Sequence, residues 1–269
     1  MSTREHTFHI AVDGERLAAT LVMPDTTIPG VLFVHGWGGS QQQYLARAKE
    51  IAALGCIGLT FDLRGHASSD SHEDAVSRED SLRDVLAAYD ELASNPNVDP
   101  QAIAVVGSSY GGYMGAILTT LRPVKWLALR VPALYPDEEW ELPKKQLHRD
   151  GELEAYRRKP LRAGDNRALK ACAEFAGDIL IVESENDELI PHATITNFVN
   201  ASKHARSLTY RVIEGADHGL SHYTHQRAYT SILVNWLTEM VFGARQGSTA
   251  AEGSARAEAV LQEAPEHPA

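Results

Sequence analysis

The chain has 269 residues, 43% of them hydrophobic and 23% charged, with a formal net charge of −11. That length can bury a sizeable core. The acidic balance argues against nucleic acid as a partner and disfavours an anionic membrane surface. Two cysteines, Cys56 and Cys172, offer neither a disulfide framework nor a cysteine metal site. Cys56, inside the apolar run 54–59, reads as a buried side chain.

The first seventeen residues, MSTREHTFHIAVDGERL, carry no apolar core or cleavage signal of a secretory leader. No apolar run approaches the roughly 20 residues needed to span a membrane. The expected compartment is therefore the cytoplasm. Phe8 to Pro24 alternates polar and apolar residues around Asp13-Gly14, a strong two-residue hairpin signal. Gly30–Val34 is a short continuous apolar run, the pattern of a strand buried on both faces. Helical spacing follows over Gln41–Leu54, then a strand at Ile57–Asp62, a helix at Arg78–Ala93 and a strand at Ala102–Gly107. A helix at Gly111–Leu121 and a strand at Lys125–Val131 continue the alternation. Such alternation predicts a parallel sheet with helices on both faces.

From Leu134 to Phe175 the chain is polar, charged and without a convincing strand. We read it as a mostly helical insertion, a cap whose Tyr135 and Trp140 are candidate walls of a substrate pocket. The sheet resumes at Asp178–Ser184, followed by a helix at His192–His204, a strand at Leu208–Ile213 and a last helix at Tyr223–Val241. Residues 243–269, rich in Ala, Glu, Gly, Pro and Ser, read as a flexible or loosely helical tail behind a domain of residues 1–242.

The chemistry is concentrated at three loops. Gly107-Ser108-Ser109-Tyr110-Gly111 fits G-x-S-x-G between an expected buried strand and an expected helix. That tight turn pushes a serine hydroxyl out of the sheet top, and the helix dipole behind it favours a developing oxyanion. A neutral hydroxyl is a poor nucleophile and needs a base and a group to orient that base. Asp187, in the loop after the strand 178–184, is the preferred acid, with Glu183, Glu185 and Glu188 as rivals. His218, in Gly215-Ala-Asp-His-Gly219 after the strand 208–213, is the base. His222 and His225 follow at close spacing, but no carboxylate or cysteine cluster joins them, so we expect no metal. Two backbone N–H groups should hold the oxyanion. One is that of Tyr110; the other, in His35-Gly36-Trp37-Gly38-Gly39, is that of Trp37. His35 at the strand end reads as a structural residue that hydrogen-bonds its loop.

Together these segments resemble the α/β-hydrolase superfamily. Asp62-Leu-Arg-Gly-His-Ala-Ser-Ser69 is similar to its D-x-R-G-x-G-x-S loop, with Ala67 in place of the second glycine. Asp99–Gly112 resembles dienelactone-hydrolase-like esterases and the catalytic domain of prolyl-oligopeptidase-type peptidases. Dienelactone hydrolases use a cysteine where this chain has Ser109, and a propeller domain of the oligopeptidase kind has no room here. The resemblance implies an α/β-hydrolase fold with a mostly parallel eight-stranded sheet, helices on both faces and a helical cap. It implies a serine esterase cleaving small or medium acyl esters without a cofactor, as a monomer or homodimer. An amidase, peptidase or thioesterase on the same residues is the alternative. A non-catalytic ligand-binding protein of the same fold is disfavoured by the complete serine, acid and histidine set.

Overall fold

The computed structural model describes residues 3–24, 29–67, 69, 73–148 and 152–262. β1 (Thr3–Val12) and β2 (Glu15–Pro24) form the hairpin expected at Asp13-Gly14, and both turn residues have positive φ, +50° and +83°. β3 (Gly30–Val34), α1 (Gln42–Ala52), β4 (Ile57–Phe61), α2 (Arg78–Ser94), β5 (Ile103–Ser108), α3 (Tyr110–Leu118) and β6 (Trp126–Arg130) follow. Then come α4 (Glu152–Arg157), α5 (Arg167–Glu174), β7 (Asp178–Ser184), α6 (His192–Ala201), β8 (Ser207–Ile213) and α7 (Tyr223–Gln262). One eight-stranded sheet runs β1-β2-β4-β3-β5-β6-β7-β8. β3 to β8 are mutually parallel, and only the β1–β2 hairpin is antiparallel to its neighbours. This is the α/β-hydrolase fold.

Two-residue alternation divides the core. Leu32 and Val34 of β3 and Leu127 and Leu129 of β6 face the side covered by α2, α3, α5 and α6. Val31 and Phe33, with Trp126 and Ala128, face α1 and α7. Buried on both sides, the central strands are continuous apolar runs. α2 begins with a capping box, in which the Ser77 hydroxyl accepts from the Asp80 N–H and the Asp80 carboxylate accepts from the Ser77 N–H.

Two segments differ in extent from the sequence reading. α7 does not stop near Val241; its backbone stays helical to Gln262. No proline interrupts it before Pro265, and its alanine, arginine and glutamate residues are strong helix formers. Residues 263–269 of the expected tail lie outside the described residues. In the 134–175 insertion the regular structure is short: a 3₁₀ turn at Lys144–His148, α4, a second 3₁₀ turn at Ala163–Asp165, and α5. α5 packs into the core beside α3 and α6 as one of the helices covering the sheet. The segment before it crosses to the start of α2, where the Lys144 N–H donates to the Val76 carbonyl and Pro143 bridges Ser77.

Candidate active site

β5 ends one residue before Ser109, and α3 starts one residue after it. In so short a turn Ser109 takes φ +52° and ψ −116°, a conformation L-residues avoid. The flanking glycines are required by space. A Cβ on Gly107 would lie 2.4 Å from the Gly111 carbonyl oxygen, and one on Gly111 would lie 2.1 Å from the Val34 carbonyl oxygen. The end of β6 braces the turn. The Ser109 N–H donates to the Arg130 carbonyl at 2.9 Å, and the Ala133 N–H donates to the Ser109 carbonyl at 3.0 Å. Val131 between them is itself at φ +38°.

The loop after β7 turns Asp187 inward. Its side chain is 2% exposed, and Oδ1 accepts the N–H groups of Leu189 and Ile190, each at 2.8 Å. Oδ2 is left to accept the Nδ1–H of His218 at 2.6 Å. With Nδ1 so engaged, Nε2 of His218 is the free acceptor. Ser109 and His218 line one cavity of about 300 Å³. The rival carboxylates have other tasks. Glu183 accepts from the Tyr210 hydroxyl and pairs with His192 Nδ1 at 2.8 Å, while Glu185 accepts the Gly215 N–H at 2.7 Å.

The loop after β3 comes close to Ser109. A Cβ on Gly36 would come within 3.3 Å of the Ser109 Cβ. The N–H groups of Trp37 and Tyr110 have no hydrogen-bond acceptor among the described residues. The two rings meet edge to face, with centroids 5.3 Å apart. The buried Lys144 ammonium lies over the Trp37 ring, 4.1 Å from its centroid. His35 supports this loop from below. Its Nε2 accepts the Leu63 N–H at 3.0 Å and its Nδ1–H donates to the Gly36 carbonyl at 2.7 Å. Burial lowers its pKa to about 4, so it stays neutral.

The D-x-R-G segment is the neighbouring brace. Asp62 accepts the backbone N–H of Gln41 at 2.7 Å and its side-chain amide at 3.1 Å. Arg64 forms a buried pair with Asp84 of α2. Ala67, where the pattern has glycine, adopts φ +45° and so retains the backbone turn at some strain.

Tyr135 and Trp140 sit elsewhere. Tyr135 is buried in the core against Tyr110 and Tyr113. The Trp140 ring lies against the Arg78 and Arg167 guanidiniums, and its indole N–H donates to Glu79. Neither lines the cavity beside Ser109, and nor does any other described residue of the insertion. The cavity lining includes instead Arg47 of α1, Arg130 of β6, and Gln226 and Tyr229 of α7. A signal for Arg130 existed in the sequence: it is the one charged residue closing the apolar run 126–131. Arg47, Gln226 and Tyr229 gave none.

Residues 41–243 match the prolyl oligopeptidase family. The chain belongs to that family. Among curated family-like relatives, the α/β-hydrolase domain-containing protein WAV2 of Arabidopsis thaliana is 32% identical over 120 residues, 44% of this chain and 38% of its own. The palmitoyl-protein thioesterase ABHD10 of Homo sapiens is 31% identical over 107 residues, 38% of this chain and 32% of its own. The chain thus matches only about a third of these relatives' own length. Among solved structures, Est1E from Butyrivibrio proteoclasticus with ferulic acid bound superposes with a TM-score of 0.67 at 21% identity, covering 87% of this chain and 99% of Est1E. This prolyl oligopeptidase family member shares the α/β-hydrolase fold of Est1E. No helix among its described residues is long and apolar enough to cross a membrane.

Proposed function

We propose that the protein is a serine carboxylesterase, acting on small or medium acyl esters through an acyl-enzyme on Ser109. The observation that carries this is the Asp187–His218 pair opening onto the same cavity as a serine held at φ +52°. Ser109 Oγ attacks the acyl carbon and passes its proton to His218 Nε2. Asp187 holds the imidazole in the required tautomer and stabilises the imidazolium. The Trp37 and Tyr110 amides hold the oxyanion of the tetrahedral intermediate. On its collapse the alcohol takes the proton from His218 and leaves. Water, deprotonated by His218, then attacks the acyl-enzyme, and Ser109 recovers the proton. The scheme requires no metal or organic cofactor. We place the enzyme in the cytoplasm.

A second reading is thioester hydrolysis on the same residues, favoured by the resemblance to a palmitoyl-protein thioesterase. Initial rates with 4-nitrophenyl butyrate, S-butyryl thiocholine and an aminoacyl 4-nitroanilide test both. The value of kcat/KM should be highest for the oxygen ester and lost in Ser109→Ala. A thioester preferred at least ten-fold would transfer the assignment to the second reading.

A further inference from the structure

We propose that the cavity beside Ser109 is built to bind an anionic group, so that the substrates are esters carrying a carboxylate, held by Arg47 and Arg130. This rests on the esterase reading for its chemistry but on independent residues for its specificity. The protein is strongly acidic overall, yet no aspartate or glutamate is found among the described residues lining this cavity, while two guanidiniums are. Neither arginine has an ion-pair partner among the described residues. Arg130, 8% exposed, donates Nε–H to the Ser108 hydroxyl at 3.1 Å and Nη1–H to the His218 carbonyl at 2.8 Å. Arg47 donates Nε–H to Thr230 Oγ1 at 3.1 Å and Nη1–H to the Gln43 carbonyl at 2.8 Å. Nη2 of each makes no hydrogen bond among the described residues.

Between them lies Tyr229, with its ring centroid 4.9 Å from the Arg47 guanidinium carbon and 5.6 Å from that of Arg130. Its buried Oη has the Ser108 hydroxyl as a neighbour but makes no hydrogen bond of normal length. Burial pushes that phenol up to about 12, so it remains a proton donor at neutral pH. Two like charges held in a partly desolvated cavity, with donors unused and no carboxylate supplied by the fold, form an arrangement that an anion completes. The fork geometry of arginine suits a planar carboxylate.

Two substrate pairs locate the charge. In the acyl arm, 4-nitrophenyl hemisuccinate is compared with 4-nitrophenyl 4-methylpentanoate, its neutral counterpart of similar shape. In the alcohol arm, 4-acetoxybenzoate is compared with 4-acetoxybenzamide. A charge-assisted hydrogen bond of about 1.5–3 kcal/mol corresponds to a preference of about ten-fold or more in kcat/KM. We expect that preference in at least one arm of the wild-type protein. It should collapse toward unity in Arg47→Gln, survive in part in Arg47→Lys and invert in Arg47→Glu. Arg130 is not the residue to vary, since it also holds the His218 loop. Calorimetric titration with glutarate and with glutaramide reads the cavity without any turnover: glutarate should bind, glutaramide should not, and Arg47→Gln should abolish the difference. Esters turned over with no charge preference in either arm, or a preference unchanged in Arg47→Gln, would overturn the anion site and leave the esterase reading standing. Glutarate binding with no ester turned over would support the site and sink the esterase reading.

Discussion

At the scale of the residue, the proposed mechanism uses Asp187 for the tautomer that it imposes on His218. Asp187→Asn should cost about 10³–10⁴ in kcat, because an amide there favours the wrong ring nitrogen as donor. Glu183→Gln and Glu185→Gln, whose carboxylates serve Tyr210, His192 and Gly215, should cost far less. A larger loss from either would transfer the acid role to it. His35 sets a different pH dependence, one of stability. It is buried neutral with its pKa lowered to about 4, whereas the unfolded chain takes that proton near 6.5. Between these values the unfolded state binds more protons. The contribution is therefore complete above about pH 6.5 and lost as pH falls toward 4, by roughly 3 kcal/mol. Urea midpoints at pH 7.5 and 4.5 should converge in His35→Gln relative to the parent protein. An equal acid loss in both proteins would show that His35 is not the titrating group.

Among the elements, the 134–175 insertion acts as a buttress on the α2 and α3 side. Arg78 is fully buried, donates to the carbonyls of Pro136 and Glu138, and stacks on Trp140. Trp140→Ala should therefore lower stability by roughly 3 kcal/mol and leave the ranking of acyl chain lengths unaltered. A changed ranking measured on the folded variant would restore Trp140 as a pocket wall. The Ser109 turn and the loops that carry Asp187 and His218 were legible as elements because each combines a short motif with an unambiguous strand before it. Gly107 and Gly111 are dictated by backbone contact distances, and the Asp13-Gly14 hairpin by its turn type. The pocket was not legible. Its charged wall is assembled from α1, β6 and α7, and nothing local to Arg47 or Tyr229 says that these helices meet. The pattern of aromatic and charged residues around Tyr135 and Trp140 suits packing on the core as well as a pocket wall, and in the structure Tyr135 packs on Tyr113 and Trp140 on Arg78.

Over the whole molecule, the residues proposed for catalysis come from loops at the carboxyl ends of β3, β5, β7 and β8, so their geometry depends on the sheet and on the braces between loops. The buried Arg64–Asp84 pair ties one such loop to α2, and Asp84→Ala, which strands the guanidinium, should cost about 3–5 kcal/mol in a urea melt. The end of α7 contributes less. Truncation after Gly243, where the family match also ends, should leave the melting temperature and ester turnover nearly unchanged, because residues 244–269 carry little large apolar surface. A loss of several degrees would mean that this segment docks on the body or on a second copy. The central claim, that Ser109 is the activated nucleophile of the folded protein, is tested most directly by fluorophosphonate labelling read by peptide mass. The account predicts one adduct, on Ser109, with labelling abolished in Ser109→Ala and strongly slowed in His218→Ala. An adduct on Ser108, or labelling at an unchanged rate in His218→Ala, would contradict it.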